Sequence, residues 1–156
     1  FGDEKTRSYQ EFELLKVLQT SGVNVPKPIA ARVVKSGVTY KADLLSEKIP
    51  NAQDLVALLR EKALPKEMYQ KIGAEIRKMH EAQVNHTDLN IHNILVDDSN
   101  EVWIIDFDKC KNLNGGCWKK SNLSRLTRSF YKESEKKKLF LNHNFIELIM
   151  EGYNSD

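Results

Sequence analysis

Apolar positions along this chain fall into alternating helical and strand periods. From Ser8 to Gln19, Phe12, Leu15 and Val17-Leu18 recur at helical spacing among charged residues, and the pattern stops near Gly22. Ser8 is the expected cap of this helix, with Glu11 at the capping-box position. Val33-Val34 and Val38-Thr39-Tyr40 flank a Ser36-Gly37 turn and predict a hairpin, continued by Leu44-Leu45 toward Ser46-Glu47-Lys48-Ile49. Two helices follow, Asp54 to Arg60 and Pro65 to Ala82. The second carries Tyr69, Ile72, Ile76 and Met79 as a core-facing stripe. Ile94-Leu95-Val96 and Val102-Trp103-Ile104-Ile105 are β-favouring runs around the turn formers Asp97-Asp98-Ser99-Asn100, which predicts a second hairpin. A closing helix is expected over Phe140 to Tyr153.

Composition narrows the class. The chain has 156 residues, 40% hydrophobic and 29% charged, as a globular domain does. No segment is long and apolar enough to span a membrane, and no basic start followed by an apolar stretch suggests a signal peptide, so a cytosolic origin is expected. Cys110 and Cys117 lack zinc-ligand spacing and are read as free thiols. Charge is nearly balanced overall, at net +2, but not locally. Between Lys119 and Lys138 the basic residues, Arg125, Arg128 and Lys132 among them, face only Glu133 and Glu135. On a helical wheel Leu123, Leu126 and Phe130 cluster while Arg125, Arg128 and Lys132 lie roughly opposite, leaving one face to pack and one to meet anions. Few aromatic residues stand among the basic ones for base stacking, which argues against nucleic acid as a partner.

The candidate chemistry sits around the second hairpin. Asn93 precedes its first strand and Asp106 follows its second, so an antiparallel hairpin returns both to one end. Asp88 lies on the loop leading in, five residues before Asn93. One carboxylate to orient a hydroxyl and two oxygen ligands for Mg²⁺ make a phosphoryl-transfer set. A lone Asp-x₄-Asn carries no such meaning, since Asp and Asn start turns in ordinary loops; the hairpin and the second Asp restrict it. His86 is read as a brace for the loop, and His92 receives no role.

His86-Thr-Asp88-Leu-Asn90-Ile-His92-Asn93-Ile-Leu, followed by Val102-Trp103-Ile104-Ile105-Asp106-Phe107-Asp108-Lys109, resembles the catalytic core of the 3-deoxy-D-manno-octulosonic acid (Kdo) kinase family, a protein-kinase-like group. Thr6-Arg7 through Glu11-Phe12-Glu13-Leu14-Leu15, Val25-Pro26-Lys27-Pro28-Ile29-Ala30-Ala31, and Trp118 with Asn122 to Ser129 resemble the same family. The resemblance implies an α+β, protein-kinase-like fold, with the remnant of a small β-rich N-terminal lobe over residues 1–49 and a mostly helical catalytic lobe over residues 50–156. It implies ATP and Mg²⁺ as cofactors and a Kdo-bearing lipid A precursor as acceptor, met at the cytoplasmic face of the bacterial inner membrane. Asp88 would orient the acceptor hydroxyl, and Asn93 and Asp106 would hold the metal. Glu11, or alternatively Glu13, would be the helix acid that pairs with a lysine, and Leu45, Glu47, Lys48 and Ile49 would form the hinge that meets the adenine. Arg125 and Arg128 are candidate contacts for the anionic acceptor. Asp108 stands where regulated protein kinases have Gly. A glycine-rich phosphate loop and its lysine belong ahead of the first helix in such a fold; residues 1–10 hold neither, so the chain is expected to be part of a longer protein. Aminoglycoside- or choline-type phosphotransferases, and a non-catalytic module binding an acidic partner, are the competing readings.

Overall fold

The computed structural model describes residues 6–155. The elements run in the order α1 (Arg7–Thr20), β1 (Pro28–Ser36), β2 (Thr39–Ser46), β3 (Gln53–Asp54), α2 (Leu55–Glu61), α3 (Lys66–Glu81), β4 (Val84–Asn85), a 3₁₀ turn (Ile91–Asn93), β5 (Ile94–Val96), β6 (Val102–Ile104), β7 (Lys111–Asn112), α4 (Cys117–Lys136) and α5 (Phe145–Asn154). The fold is α+β, with helices around three small antiparallel sheets ordered β1-β2, β3-β5-β6 and β4-β7.

Helix α1 begins one residue before the expected cap. Thr6 is its N-cap and Ser8 lies buried in the first turn, where its hydroxyl finds no partner among the described residues, so the expected capping box does not form. Its end is as expected: Gly22 takes φ +75°, Gly22 N–H donates to the Gln19 carbonyl and Val23 N–H to that of Leu18. This is a Schellman stop, in which buried Val23 packs back toward buried Leu18. The following residues tie α1 to the rest of the molecule. Asn24 accepts from Ile104 N–H with its carbonyl and donates through Nδ2 to the Val102 carbonyl, while its own N–H meets the Glu75 carboxylate.

The first hairpin is longer than its apolar core suggests, pairing Pro28 with Ser46 through to Ser36 with Thr39 across Gly37, at φ +59°. Asp54 caps α2 with its Oδ1, which accepts from Val56 and Ala57 N–H. On α3, Tyr69, Ile72, Ile76 and Met79 are all fully buried, as their spacing predicts. Helix α5 crosses α3 at two glycines with almost no separation: a Cβ on Gly73 would meet the Ile149 carbonyl oxygen at 1.9 Å, and one on Gly152 the Gln70 carbonyl oxygen at 1.9 Å. The closing helix starts at Phe145 rather than Phe140. Ahead of it, Phe140 N–H is committed to the Leu59 carbonyl and Asn142 N–H to the Tyr69 hydroxyl, while Asn142 Oδ1 takes Asn144 N–H in a turn. Buried residues of α1, α2, α3, the β5-β6 hairpin, α4 and α5 form one core cluster.

Candidate active site

The segment from β4 to β6 ties the loop that carries Asp88 to the hairpin that carries Asn93 and Asp106. Leu89 and Ile91 are fully buried and anchor the loop. Asn90 N-caps the 3₁₀ turn, its Oδ1 accepting from His92 N–H, and its Nδ2 donates to the Asp88 carbonyl. Asn93 Nδ2 donates to the same carbonyl at 2.9 Å, and the Asn93 carbonyl accepts from Ile105 N–H. The hairpin pairs Ile94 with Ile104 and Val96 with Val102, which sets Asn93 beside Ile105-Asp106, as the spacing predicts.

His86 closes the arrangement. Its Nδ1 accepts from Asp88 N–H at 3.3 Å, so Nε2 carries the ring hydrogen and donates to the Ile105 carbonyl at 3.0 Å. The ring is fully buried against Phe107, and burial pulls its pKa below the usual value, which keeps it neutral. One imidazole thus fastens the Asp88 loop to the Asp106 loop. Both backbone polar groups of Ile105 are committed and Phe107 is buried; between them Asp106 takes φ +64°, a left-handed conformation that Asp tolerates better than most residues. Asp108 has no such conformation, so this turn does not need glycine at its third position.

Asp88 and Asp106 are exposed, whereas Asn93 is buried apart from its outer edge. With Nδ2 committed, Asn93 Oδ1 meets no donor among the described residues. Two oxygen donors without protein partners suit a hard cation such as Mg²⁺, which keeps waters and substrate phosphates as its other ligands. No trio of His, Cys, Asp or Glu forms an all-protein cage among the described residues.

A cleft of about 360 Å³ opens beside this site. Asp106 and Glu11 line it together with Leu15, Pro26, Leu44, Leu95, Ile105 and Phe107, and Glu47, Lys48 and Ile49 line it too. Of the two candidate helix acids, Glu11 faces the cleft; Glu13 pairs with Lys16 at 3.3 Å on the exposed side. Burial raises the Glu11 pKa, and the negative charges of Asp108 and Asp106 raise it further. Leu45 does not line the cleft. Alternation along β2 turns it outward, 58% exposed, and presents Leu44 instead. In the segment expected to form the hinge, Glu47 N–H is already donated to the Lys27 carbonyl. A larger hollow of about 550 Å³ runs over α3 and α5, but charged helix surface lines it and none of the convergent groups reaches it.

The match to known proteins covers this whole arrangement: the family described as lipopolysaccharide kinase (Kdo/WaaP) matches residues 3–153. The chain belongs to that family. It is 67% identical over 138 residues to the 3-deoxy-D-manno-octulosonic acid kinase of Vibrio parahaemolyticus, covering 88% of this chain and 58% of that relative. To the kinase of the same name from Vibrio cholerae it is 69% identical over 132 residues, 85% of this chain and 56% of the relative. The counterpart from Photobacterium profundum is 51% identical over 152 residues, 97% and 64%. The chain therefore spans about three fifths of the length of these relatives.

Within this Kdo/WaaP family chain, α4 supplies contacts that spacing alone did not reveal. Asn122 Oδ1 accepts from His86 N–H, Arg125 Nη1 donates to the Thr87 carbonyl, and Ser129 Oγ accepts from Ile91 N–H. These three positions share one face, turned to the Asp88 loop. Arg125 therefore does not belong to the outer stripe with Arg128 and Lys132, which are exposed; at least one of its donors holds the loop from behind. The signal was present in the repeat of polar residues at Asn122, Arg125 and Ser129 beside the apolar Leu126 and Phe130.

Proposed function

We propose that this chain carries the metal-binding part of an ATP-dependent kinase site of protein-kinase-like fold, which phosphorylates a hydroxyl of a Kdo residue on a lipid A precursor. The observation that carries this reading is the His86 and Asn93 hydrogen-bond cage, which ties the Asp88 loop to the Ile105–Asp106 segment beside a cleft that Asp106 lines. ATP would lie in that cleft with its base against Leu44 and the Glu47–Ile49 segment and its phosphates toward Asp106. Mg²⁺ held by Asn93 Oδ1 and the Asp106 carboxylate would neutralise charge on the transferred phosphoryl group. Asp88, which is exposed, would orient the acceptor hydroxyl and take its proton as the new O–P bond forms and the bond between the γ-phosphorus and the departing ADP breaks. Neutral His86 adds no charge there and preserves the angle between the two aspartates. The names of the relatives supply the acceptor, and the high identity supports its transfer to this chain.

The exposed basic residues of α4, Lys120, Arg128, Lys132 and Lys136, would meet the anionic acceptor and the cytoplasmic surface of the inner membrane, with the protein bound peripherally. An acceptor panel tests the reading. The full-length protein should transfer the γ-phosphate of ATP to a Kdo-bearing lipid A precursor and not to aminoglycosides or choline, read by mass spectrometry of the products. Transfer to either of the latter in preference to the Kdo lipid would refute it.

A further inference from the structure

The stretch from Trp118 to Ser129 has a part that the proposed chemistry does not use, and the directions of its hydrogen bonds can be worked out in full. The backbone N–H of His86 can only donate, and it points at Asn122 Oδ1, 3.2 Å away. This orients the amide, whose Nδ2 then donates to Asn85 Oδ1 at 2.8 Å. An amide oxygen only accepts, so the second ring nitrogen near it, His80 Nε2 at 3.3 Å, carries a hydrogen. His80 is buried, with a pKa pulled down to about 4 by burial, so its ring is neutral and its Nδ1 is bare. Tyr153 OH, at 2.8 Å from Nδ1, therefore donates. The Trp118 ring meets the His80 ring edge-on, at 5.1 Å between centroids, and helps enclose it.

A chain of hydrogen bonds results in which the His80 and His86 donors meet at Asn122 Oδ1. It starts on α5 at Tyr153, passes through His80 on α3 and Asn122 on α4, and ends on the backbone of His86. His86 in turn holds Asp88 N–H and the Ile105 carbonyl. Asn122 is 1% exposed and uses its oxygen twice and its nitrogen once, a combination no other side chain of that size reproduces. We infer that Asn122, backed by His80 and Tyr153, is a positioning residue for phosphoryl transfer: it sets the angle at which His86 presents Asp88 to the metal ligands. This rests on the kinase reading above. It extends that reading to three side chains that touch neither nucleotide nor acceptor.

The consequence is kinetic. Nothing in the chain lines the nucleotide cleft, so loosening it should disturb the transition state and leave ATP binding alone. In the full-length protein, Asn122→Leu and His80→Leu should each lower kcat at least tenfold with KM for ATP within twofold. Because a buried substitution can impair folding, Tyr153→Phe gives a second route: it removes only the donor hydroxyl, and should lower kcat about threefold to tenfold with Tm within a few degrees. His80→Gln, whose amide N–H can reach Asn122 as Nε2–H does, should recover most of the kcat lost in His80→Leu. The inference is overturned if Tyr153→Phe leaves kcat unchanged, if His80→Gln and His80→Leu lose equal activity at equal folded fraction, or if KM for ATP rises in step with the loss. Asp88→Ala, measured alongside, separates the two claims. Retained turnover there refutes the kinase assignment, whereas a dead Asp88→Ala with unaffected Asn122 and Tyr153 variants refutes only the positioning role.

Discussion

Lowering the pH should destabilise this protein through His80 before most of its carboxylates are protonated. The ring is enclosed by Tyr153, Asn122 and Trp118, and burial lowers its pKa from 6.5 to about 4, with further lowering by the charge of Lys119. A depressed histidine pKa contributes stability that is present above the unfolded value and is lost as pH falls toward the folded one. Between 6.5 and 4 the unfolded chain binds one more proton at this site than the folded chain. The loss accumulates to about 2–3 kcal/mol by about pH 4.5 and about 3 kcal/mol at full protonation. That is a large share of the roughly 5–15 kcal/mol that holds a domain together. His86 is shifted in the same direction and adds to the slope. Urea unfolding of the wild type and of His80→Gln at about pH 7 and about pH 4.5 measures the His80 part as a difference. The variant should lose about 2–3 kcal/mol less stability over that interval. Equal losses in the two proteins would show that His80 is not held neutral by its surroundings.

Other perturbations probe other parts of the structure. Gly73→Ala would place a methyl group 1.9 Å from the Ile149 carbonyl oxygen and 2.7 Å from Tyr153 N, so it should destabilise by about 3 kcal/mol or more and lower Tm accordingly. Glu11 has a raised pKa, so its ionised form opposes folding above the ordinary carboxylate range. Glu11→Gln should therefore raise Tm at about pH 7, and the gain should vanish below about pH 4, where the acid is protonated in both states. Replacing Arg128 and Lys132 with Gln should raise KM for the lipid acceptor and flatten its salt dependence without changing Tm; unchanged salt dependence would show that the stripe is ordinary solvated surface.

Much of the frame was legible in the chain because it depends on local order. The stripe on α3, the Schellman stop at Gly22, the Asp54 cap and the 94–104 hairpin each rest on residues close in sequence, and the convergence of Asn93 with Asp106 follows from the hairpin alone. What was not legible depends on partners far along the chain. Tyr153 and His80 are 73 residues apart, and His80 and Asn122 are 42 apart, so no periodicity signals their contact. Arg125 shows the same limit. A helical wheel separates faces but cannot say that one side of the basic face lies against a backbone carbonyl, here that of Thr87. Leu45 is a matter of phase, since alternation says that Leu44 and Leu45 face opposite ways, and only the packing of α1 on the hairpin decides which is covered. The first helix began early because the side chain of Ser8 was drawn into the interior and was not left at the cap.

The most direct test of the account is phosphoryl transfer by the full-length protein carrying Asp88→Ala, measured as single-turnover conversion of ATP and Kdo-bearing lipid A precursor at saturating Mg²⁺. Asp88 is exposed, and its carboxylate makes no hydrogen bond among the described residues, so its removal should leave Tm within a few degrees. The account predicts that transfer falls by about a thousandfold or more while ATP still binds. Turnover within tenfold of wild type in a folded Asp88→Ala protein would contradict it.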